Sequence, residues 1–388
     1  MDDGIVVCIN TSCTNATAMI NRANTAVKDI ASAMARVAGV TPPSSPAPKP
    51  GSSNVRLDKP TRAYHDSTAL ERTVGFLAAS IFSLVYVIAP LWVLAAMLSV
   101  PLAGPTAWST IILVVPILIS CGMPDTSKGV SGMVLCSWPM RQVPKYFHYE
   151  EYHECTDAEL AAAGKNYVFG AHPHGVFSFC GVCAFISSMN HPDGFGPRLA
   201  AKVPTAAASV LKVFPILKDV LGMFGVIAAD SKTLAKRLAK EGGSGSFFLY
   251  IGGMAELFKS SPKKETVFLS NRKGFIKLAM RAGADVVPVY LFGNTTVLVA
   301  LTAGPLADLS RKLGVSVTLF WGRFLLPMPK SVRITYARGR PLGLPHIAEP
   351  TEADINEWHA KYCAAVVELF DRYKGTNPDY KHKQLVIE

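Results

Sequence analysis

The chain has 388 residues, of which 49% are hydrophobic and only 17% charged, with a formal net charge of +11. This balance excludes a highly charged disordered chain and is too apolar for an ordinary soluble enzyme. No finger pattern or arginine-rich aromatic platform points to nucleic acid, so the positive charge suits anionic headgroups or a phosphate-bearing substrate.

In chain order, residues 1–65 read as a cytosolic region, with a helix expected over residues 16–40. A linker rich in Pro, Ser and Lys, expected to be disordered, follows over residues 41–60. The start, Met1-Asp2-Asp3, lacks the positive region of a secretory signal, so the sequons at Asn10 and Asn15 are expected to stay unglycosylated. The eight cysteines form no disulfide framework, as expected for a reducing compartment. Cys180-Gly-Val-Cys183 has CxxC spacing, but no second pair or spaced histidines complete a zinc site, and it reads as small apolar packing.

Residues 66–125 read as a two-segment membrane hairpin. From Thr73 to Pro124 there is no Asp, Glu, Lys or Arg. Val74–Ser99 is long enough, at about 1.5 Å per residue, to cross a hydrocarbon core of about 30 Å. The second apolar run, Trp108–Cys121, is short for a crossing, and Pro101, Gly104 and Pro105 mark a turn between the two. Such a pair either spans the bilayer twice or dips in as a wedge. Arg56, Lys59, Arg62 and Arg72 precede it and Lys128, Arg141 and Lys145 follow it, which predicts that both termini are cytosolic.

Residues 126–388 alternate strand-like and helix-like segments, predicting an α/β fold with a sheet flanked by helices. Tyr167-Val168-Phe169 has strand composition and leads into His172-Pro173-His174-Gly175, where Pro173 and Gly175 end regular structure and present two imidazoles at a strand end. Val226-Ile-Ala reads as a short strand. Asp230 or Ser231 caps a helix reaching about Glu241, and Phe247–Ile251 is the next strand. At its end, Gly252-Gly253-Met254-Ala255-Glu256 lets the backbone turn and places a carboxylate just beyond a strand. If neighbouring parallel strands carry the two loops, Glu256 shares a rim with the histidines; alternatively it only complements a helix N-terminus.

The most patterned helix is Asn271–Gly283. Phe275, Leu278, Ala279 and Ala282 form its apolar stripe, and Lys273, Lys277 and Arg281 a basic face. That face reads either as solvated surface or as a contact for phosphates. The following strand, from Asp285, carries Pro288, which is expected at an edge, a bulge or a strand start.

These pieces together resemble the type-2 diacylglycerol acyltransferase family, which also contains monoacylglycerol and wax-alcohol acyltransferases. The resemblance rests on several motifs in order: His172-Pro-His-Gly175; Gly245-Ser246 with Gly252-Gly253-Met-Ala-Glu256; Arg272-Lys-Gly274-Phe275; Gly283-Ala-Asp-Val-Val-Pro288; and Phe292-Gly293-Asn294. Gly339-Arg340-Pro341-Leu342, Pro350-Thr-Glu, His359-Ala-Lys-Tyr362 and Leu369-Phe370 follow as closing segments. Two departures stand out. Tyr146-Phe147-His148 stands where Tyr-Phe-Pro is common, and Gly293-Asn294-Thr-Thr lacks an acidic residue common elsewhere. Glycerolipid acyltransferases with a His-x4-Asp motif have the same motif order, but the fifth residue after His172 is Phe177.

The resemblance implies a glycerolipid-acyltransferase-like mixed sheet and transfer of an acyl group from acyl-CoA to diacylglycerol or a related lipid alcohol. It also implies a place in the endoplasmic reticulum membrane, with lipid droplets an alternative, and no cofactor or metal. Attack by a lipid hydroxyl needs a base. His172 is expected to be the likelier base, His174 an alternative base or an oxyanion donor, and Glu256 the group that orients the imidazole. Arg272, Lys273, Gly274 and Lys277 are expected around the phosphates, and Pro173, Gly175, Gly252, Gly253, Pro288 and Asn294 around the substrates. Self-association is left open. Two readings of other classes stand beside this one: a metal-dependent hydrolase, for which the remaining histidines offer no ligand spacing, and a non-catalytic lipid-droplet scaffold.

Overall fold

The computed structural model describes residues 59–123, 132–190, 203–253, 256, 265–302, 304 and 319–388. The helix expected over residues 16–40, both sequons, most of the linker and Lys128 lie outside them. Described strands are β1 (Arg62–Ala63), β2 (Glu150–His153), β3 (Tyr167–His172), β4 (Thr205–Ala207), β5 (Ile227–Ala228), β6 (Phe247–Tyr250), β7 (Glu265–Val267), β8 (Asp285–Phe292), β9 (Val299–Ala300), β10 (Phe320–Trp321), β11 (Thr335–Arg338) and β12 (Leu385–Ile387). The longer helices are α1 (Ala69–Ala103), α2 (Trp108–Gly122), α3 (Phe179–Asn190), α4 (Leu217–Met223), α5 (Ser231–Leu238), α6 (Gly274–Ala282) and α7 (Glu352–Tyr373).

An eight-stranded mixed sheet runs in the order β1-β2-β11-β8-β3-β6-β4-β5. From β8 to β5 all neighbours are parallel, β11 joins β8 antiparallel, and β1 closes the edge antiparallel to β2. The apolar run of β8, every residue of which is buried, is what a central strand covered on both faces requires. Period-two alternation divides its side chains: Val287, Val289 and Leu291 pack with Phe169 and α3, while Val286, Tyr290 and Phe292 pack with α6 and α7.

Helix α7 shows why the second face is well sealed. A capping box of Thr351 and Asp354 starts it, and it buries Ile355, His359, Tyr362, Val366, Leu369, Phe370 and Tyr373, a single stripe at helical spacing. Each large apolar side chain so buried contributes about 1.5–3 kcal/mol.

Pro288 corrects an expectation. It lies inside central β8, paired with Gly170 of β3, and not at an edge or strand start. Its carbonyl accepts from Gly339 N at 2.9 Å, one residue past the end of β11. Because N and O of one residue point to the same side of a strand, the bond that the proline forgoes is the reciprocal one to Gly339 O, at the point where the β11 ladder ends, so the cost is confined to that end.

Helix α1 is long and apolar enough to cross a membrane by length and composition. Its first half packs on the sheet domain. An added Cβ at Gly75 would collide with the Gln142 backbone, Ser83 Oγ donates to Pro327 O at 2.8 Å, and Ala89 packs with Leu217 and Leu221 of α4. Beyond that point its partner is α2. Trp92 Nε1 donates to Leu113 O at 2.9 Å, and Thr110 Oγ1 to Ser99 O at 3.2 Å. The far end of α2 returns to the domain, where Ser120 Oγ donates to Asp219 and accepts from Ile216 N.

Two of the flanking cations are not free for a membrane surface. Arg62 is buried in an ion network, bonded to Glu151 at 2.9 Å and Asp157 at 3.0 Å, and Asp157 also holds Arg338 at 2.6 Å. Lys145 pairs with Glu71 at 2.5 Å. The second ties the first turn of α1 to the domain, and the first anchors β1, which precedes it.

Candidate active site

Strands β3 and β6 are parallel neighbours, so the loops after them leave the same rim of the sheet. His172 ends β3 and Glu256 follows the Gly252-Gly253 turn after β6. Both are fully buried, with His172 Nδ1 2.9 Å from Glu256 Oε1. The approach of Glu256 requires glycine at 252, since a Cβ there would overlap the carboxylate. The second oxygen, Oε2, accepts from the backbone N of His174 at 2.8 Å, and Phe268 N donates to Oε1 at 3.3 Å.

The two histidines end in different surroundings. His172 Nε2 lies 3.2 Å from the hydroxyl of Tyr362, which also donates to Gly170 O at 3.0 Å. A Cβ on Gly170 would overlap that hydroxyl, so glycine inside β3 is what admits Tyr362. Burial pushes the Tyr362 phenol well above its ordinary range, which keeps the hydroxyl protonated. With Nδ1 on the carboxylate and Nε2 on the tyrosine, His172 has neither a free ring nitrogen nor exposed surface.

His174 is half-buried. Its Nδ1 lies 2.7 Å from Gly175 O, an acceptor only, so Nδ1 carries the proton and a neutral ring presents its lone pair at Nε2. That nitrogen makes no hydrogen bond among the described residues. The edge of the ring meets Tyr250, with centroids 4.9 Å apart at 71°, and Tyr250 belongs to the face of the sheet that α3 and α1 cover. A small cavity of about 40 Å³ lies on that face, between Tyr250, Ala171, Gly181 and the Arg62 network.

The loop bearing both rings is braced from below. Asn294 is 1% exposed; its Nδ2 donates to Pro173 O at 3.1 Å and His174 O at 2.7 Å, and its Oδ1 accepts from Cys180 N at 3.1 Å. Its amide is thus engaged within the protein, bridging the His174 loop to the start of α3. Gly175 has φ +65°, and a Cβ there would sit 2.8 Å from Asn294 O. Pro288 lies midway along β8, opposite Gly170 and two residues short of the position opposite His172. Cys180 and Cys183 are buried free thiols in the α3 core.

The basic residues form a separate feature. Arg272, Lys273, Gly274, Lys277 and Arg281 line a groove of about 830 Å³ between α5 and α6, with Ser231, Leu249 and Ile251 on its other walls. Arg272 stacks over Phe268 at 5.4 Å, and Phe268 touches Glu256, so the groove begins beside the rim. Lys273 Nζ donates to Asn356 Oδ1 at 2.7 Å. The groove lies on the α6/α7 side of the sheet, whereas the ring of His174 lies on the other.

Tyr362 and Tyr250 were missed as site residues. Tyr362 stands in a motif whose helical stripe reads as core, and Tyr250 in an ordinary strand; only the fold brings them to the histidines.

A model of the family described as diacylglycerol acyltransferase matches residues 106–388. Diacylglycerol O-acyltransferase 2 of Bos taurus is 34% identical over 223 residues, which cover 54% of this chain and 61% of that protein. The protein of the same description from Dictyostelium discoideum is 33% identical over 236 residues, covering 58% and 70%. A third relative, 2-acylglycerol O-acyltransferase 3 of Homo sapiens, is 33% identical over 223 residues, covering 54% and 65%. The matched stretch thus spans less than two thirds of the bovine relative's length. A solved 1-acyl-sn-glycerophosphate acyltransferase from Thermotoga maritima aligns over 77% of this chain and 98% of its own, with a TM-score of 0.36 and 12% identity.

Proposed function

The chain belongs to the diacylglycerol acyltransferase family, and on that premise we propose that it moves a fatty acyl group from acyl-CoA to the free hydroxyl of diacylglycerol, forming triacylglycerol, with His174 as general base. The observation that carries the base assignment is the Nε2 of His174, which makes no hydrogen bond among the described residues, on a ring whose tautomer the Gly175 carbonyl fixes. The same residue pair in the sequence favoured His172. A ring with both nitrogens engaged and no exposed surface suits a brace better than a base.

In the proposed step the acceptor hydroxyl gives its proton to His174 Nε2 as its oxygen bonds to the thioester carbonyl carbon. The tetrahedral intermediate collapses, the C–S bond breaks, and the departing CoA sulfur takes the proton from Nε2. The ester and free CoA thiol leave with the enzyme unchanged, and no further reactant is needed. Glu256 acts through others: one oxygen holds His172, and the other fixes the backbone N–H of His174. With the N–H of His174 taken by Glu256, the N–H of Gly175, which makes no hydrogen bond among the described residues, is the natural donor to the oxyanion.

For acyl-CoA, the basic groove supplies cations for the phosphates through Arg272, Lys273 and Lys277, and the thioester arm then reaches His174 over the strand ends. The lipid acceptor would come from the other side, where α1 brings Phe82 and Tyr86 against Phe177.

The helix pair supports a wedge more than a span. The domain covers α1 as far as Ala89, leaving 14 residues to its end at Ala103, or about 21 Å at 1.5 Å per residue, against about 30 Å of hydrocarbon. A helix pair of that reach enters one leaflet and leaves both flanks on the same side, which agrees with an endoplasmic reticulum or droplet surface and cytosolic termini.

The test is product analysis with purified protein in vesicles, labelled acyl-CoA, and diacylglycerol, 2-monoacylglycerol or a long-chain alcohol as acceptor. Labelled triacylglycerol as the main product is expected. Label appearing chiefly in diacylglycerol would favour the activity named for the 2-acylglycerol relative, and label chiefly in wax ester the alcohol reading. No transfer to any acceptor would leave the scaffold reading.

A further inference from the structure

We propose that the turn after β10 is a second membrane-seated element, which places its apolar tip in the same lipid leaflet as α1 and opens the His174 side of the molecule toward lipid. Leu319, Phe324, Leu325 and Leu326 are 62%, 69%, 81% and 47% exposed. Three consecutive exposed large apolar side chains, with Leu319 exposed just before β10, are out of place on a surface that meets only water.

The backbone of this turn is built to hold that display. Phe324 and Leu325 have φ of 59° and 56°, a left-handed conformation costing roughly 1–2 kcal/mol for each residue with a side chain. The turn is nonetheless closed by Gly322 N to Leu326 O at 2.7 Å and Arg323 N to Met328 O at 2.8 Å. Its base is fastened by Pro327 O, which accepts from Ser83 of α1, and by Pro329 O, which accepts from Tyr146 at 2.8 Å. The tip is thus fixed relative to α1, while its apolar side chains face outward.

Two features select a lipid leaflet as the occupant. The tip adjoins the exposed apolar flank of α1: Arg323 stacks over Phe76 at 5.3 Å, and Leu77 and Ile81, on the same turns of that helix, are 52% and 64% exposed. From Leu319 to Arg333 there is no acidic residue, while Arg323, Lys330 and Arg333 supply cations suited to anionic headgroups. The tip also leads inward. Phe320, next to it, meets Phe177 edge-on at 4.9 Å, and Phe177 follows the His174 loop. A lipid alcohol leaving the leaflet between this turn and α1 would therefore meet the aromatic cluster before the base.

This inference rests on the reading that α1 and α2 enter a leaflet, and the experiment separates the two. The full chain, with Cys8, Cys13, Cys121, Cys136 and Cys363 changed to serine, receives a single cysteine at Leu325, Phe324, Leu102 or Lys381 carrying an environment-sensitive fluorophore. Each variant is reconstituted in phosphatidylcholine vesicles with and without phosphatidylserine, and quenching by lipids brominated at set depths is read. Blue-shifted emission with shallow quenching is expected at positions 324 and 325, deeper quenching at 102, and aqueous emission at 381. Aqueous emission at both 324 and 325 with quenching at 102 overturns the second element alone. Aqueous emission at 102 as well overturns the leaflet reading and this inference with it. Energy transfer between labelled copies at 325 in detergent, without quenching by brominated lipid, assigns the tip to a second copy of the chain and also overturns it.

Discussion

The two faces of the central sheet treat chemically similar groups in opposite ways. On the α6/α7 face, His172, Glu256 and Tyr362 lie in a sealed core with their hydrogen-bonding groups matched to one another. On the α1/α3 face, His174 has a ring nitrogen with no partner among the described residues, beside an aromatic cluster that borders an exposed apolar helix. One proline separates the two imidazoles in sequence, yet it sends one to each environment. Identical side chains in one motif can therefore fall in a sealed and an open environment, and the proposed division into a brace and a base rests on burial together with the count of engaged nitrogens.

The sharpest way to break this comparison is to exchange the roles. His174→Ala is expected to lower kcat by roughly 10²–10⁴, the range for loss of a general base, with little change in KM for acyl-CoA. His172→Asn, which keeps a polar group toward Glu256, is expected to lose roughly tenfold through displacement of the His174 loop, and to retain the fall in activity at acid pH that protonation of a catalytic imidazole causes. Steady-state kinetics across pH on both variants decide it. A His172 variant as inactive as His174→Ala, with thermal stability intact, would return the base to position 172.

The sequence made the local backbone of this site readable and left its long-range partners dark. Strand composition before His172, paired glycines before Glu256 and the proline and glycine around the histidines all describe local backbone, and backbone preferences act over a few residues. The mixed α/β architecture followed from alternating segments for the same reason. Tyr362 meets His172 across 190 residues, and nothing local distinguishes it from the other members of the α7 stripe. Asn294 was noticed, but its bonds to the His174 loop and Cys180 were not, because a motif shows that an amide is present and not which groups engage it. Pro288 was misplaced because the rule for proline in strands concerns a missing donor, and the side to which that donor would point is a property of sheet order. The charges around α1 were read as membrane-flanking, although Arg62 and Lys145 pair with carboxylates 89 and 74 residues away in sequence.

A smaller effect tests whether the basic groove serves the site from the sealed face. Arg272→Ala and Lys277→Ala remove cations without touching either histidine. Each is expected to raise KM for acyl-CoA about three- to tenfold, with kcat nearly unchanged, and to weaken the salt dependence of KM. Titration with CoA lacking its acyl chain gives an independent reading, since its affinity should fall by the same factor. Unchanged KM and unchanged CoA affinity in the double variant would make this stripe a solvated face.

The smallest expected effect concerns the ion network on the α1/α3 face. Burial, with Arg338 nearby, holds His153 below the ordinary histidine value despite Glu151 at 3.1 Å. Burial opposes ionisation of Glu151 and Asp157, yet His153 and Arg62 beside the first and Arg338 beside the second hold both below the carboxylate range. A base depressed by folding takes its proton first in the unfolded chain, so acidification through about pH 6.5 favours unfolding. The depressed carboxylates favour the folded state above their unfolded values near pH 4, and that contribution is lost only as pH falls further, through their folded values. Thermal unfolding in detergent should therefore show a fall in Tm of a few degrees or less below about pH 6.5, separate from the larger acid loss below about pH 4. His153→Asn should remove the first step and keep the second. Persistence of the first step in that variant would move it to another histidine, with His359 the next to replace: it is buried, donates to Leu269 O at 3.0 Å, and is held below its ordinary value by burial.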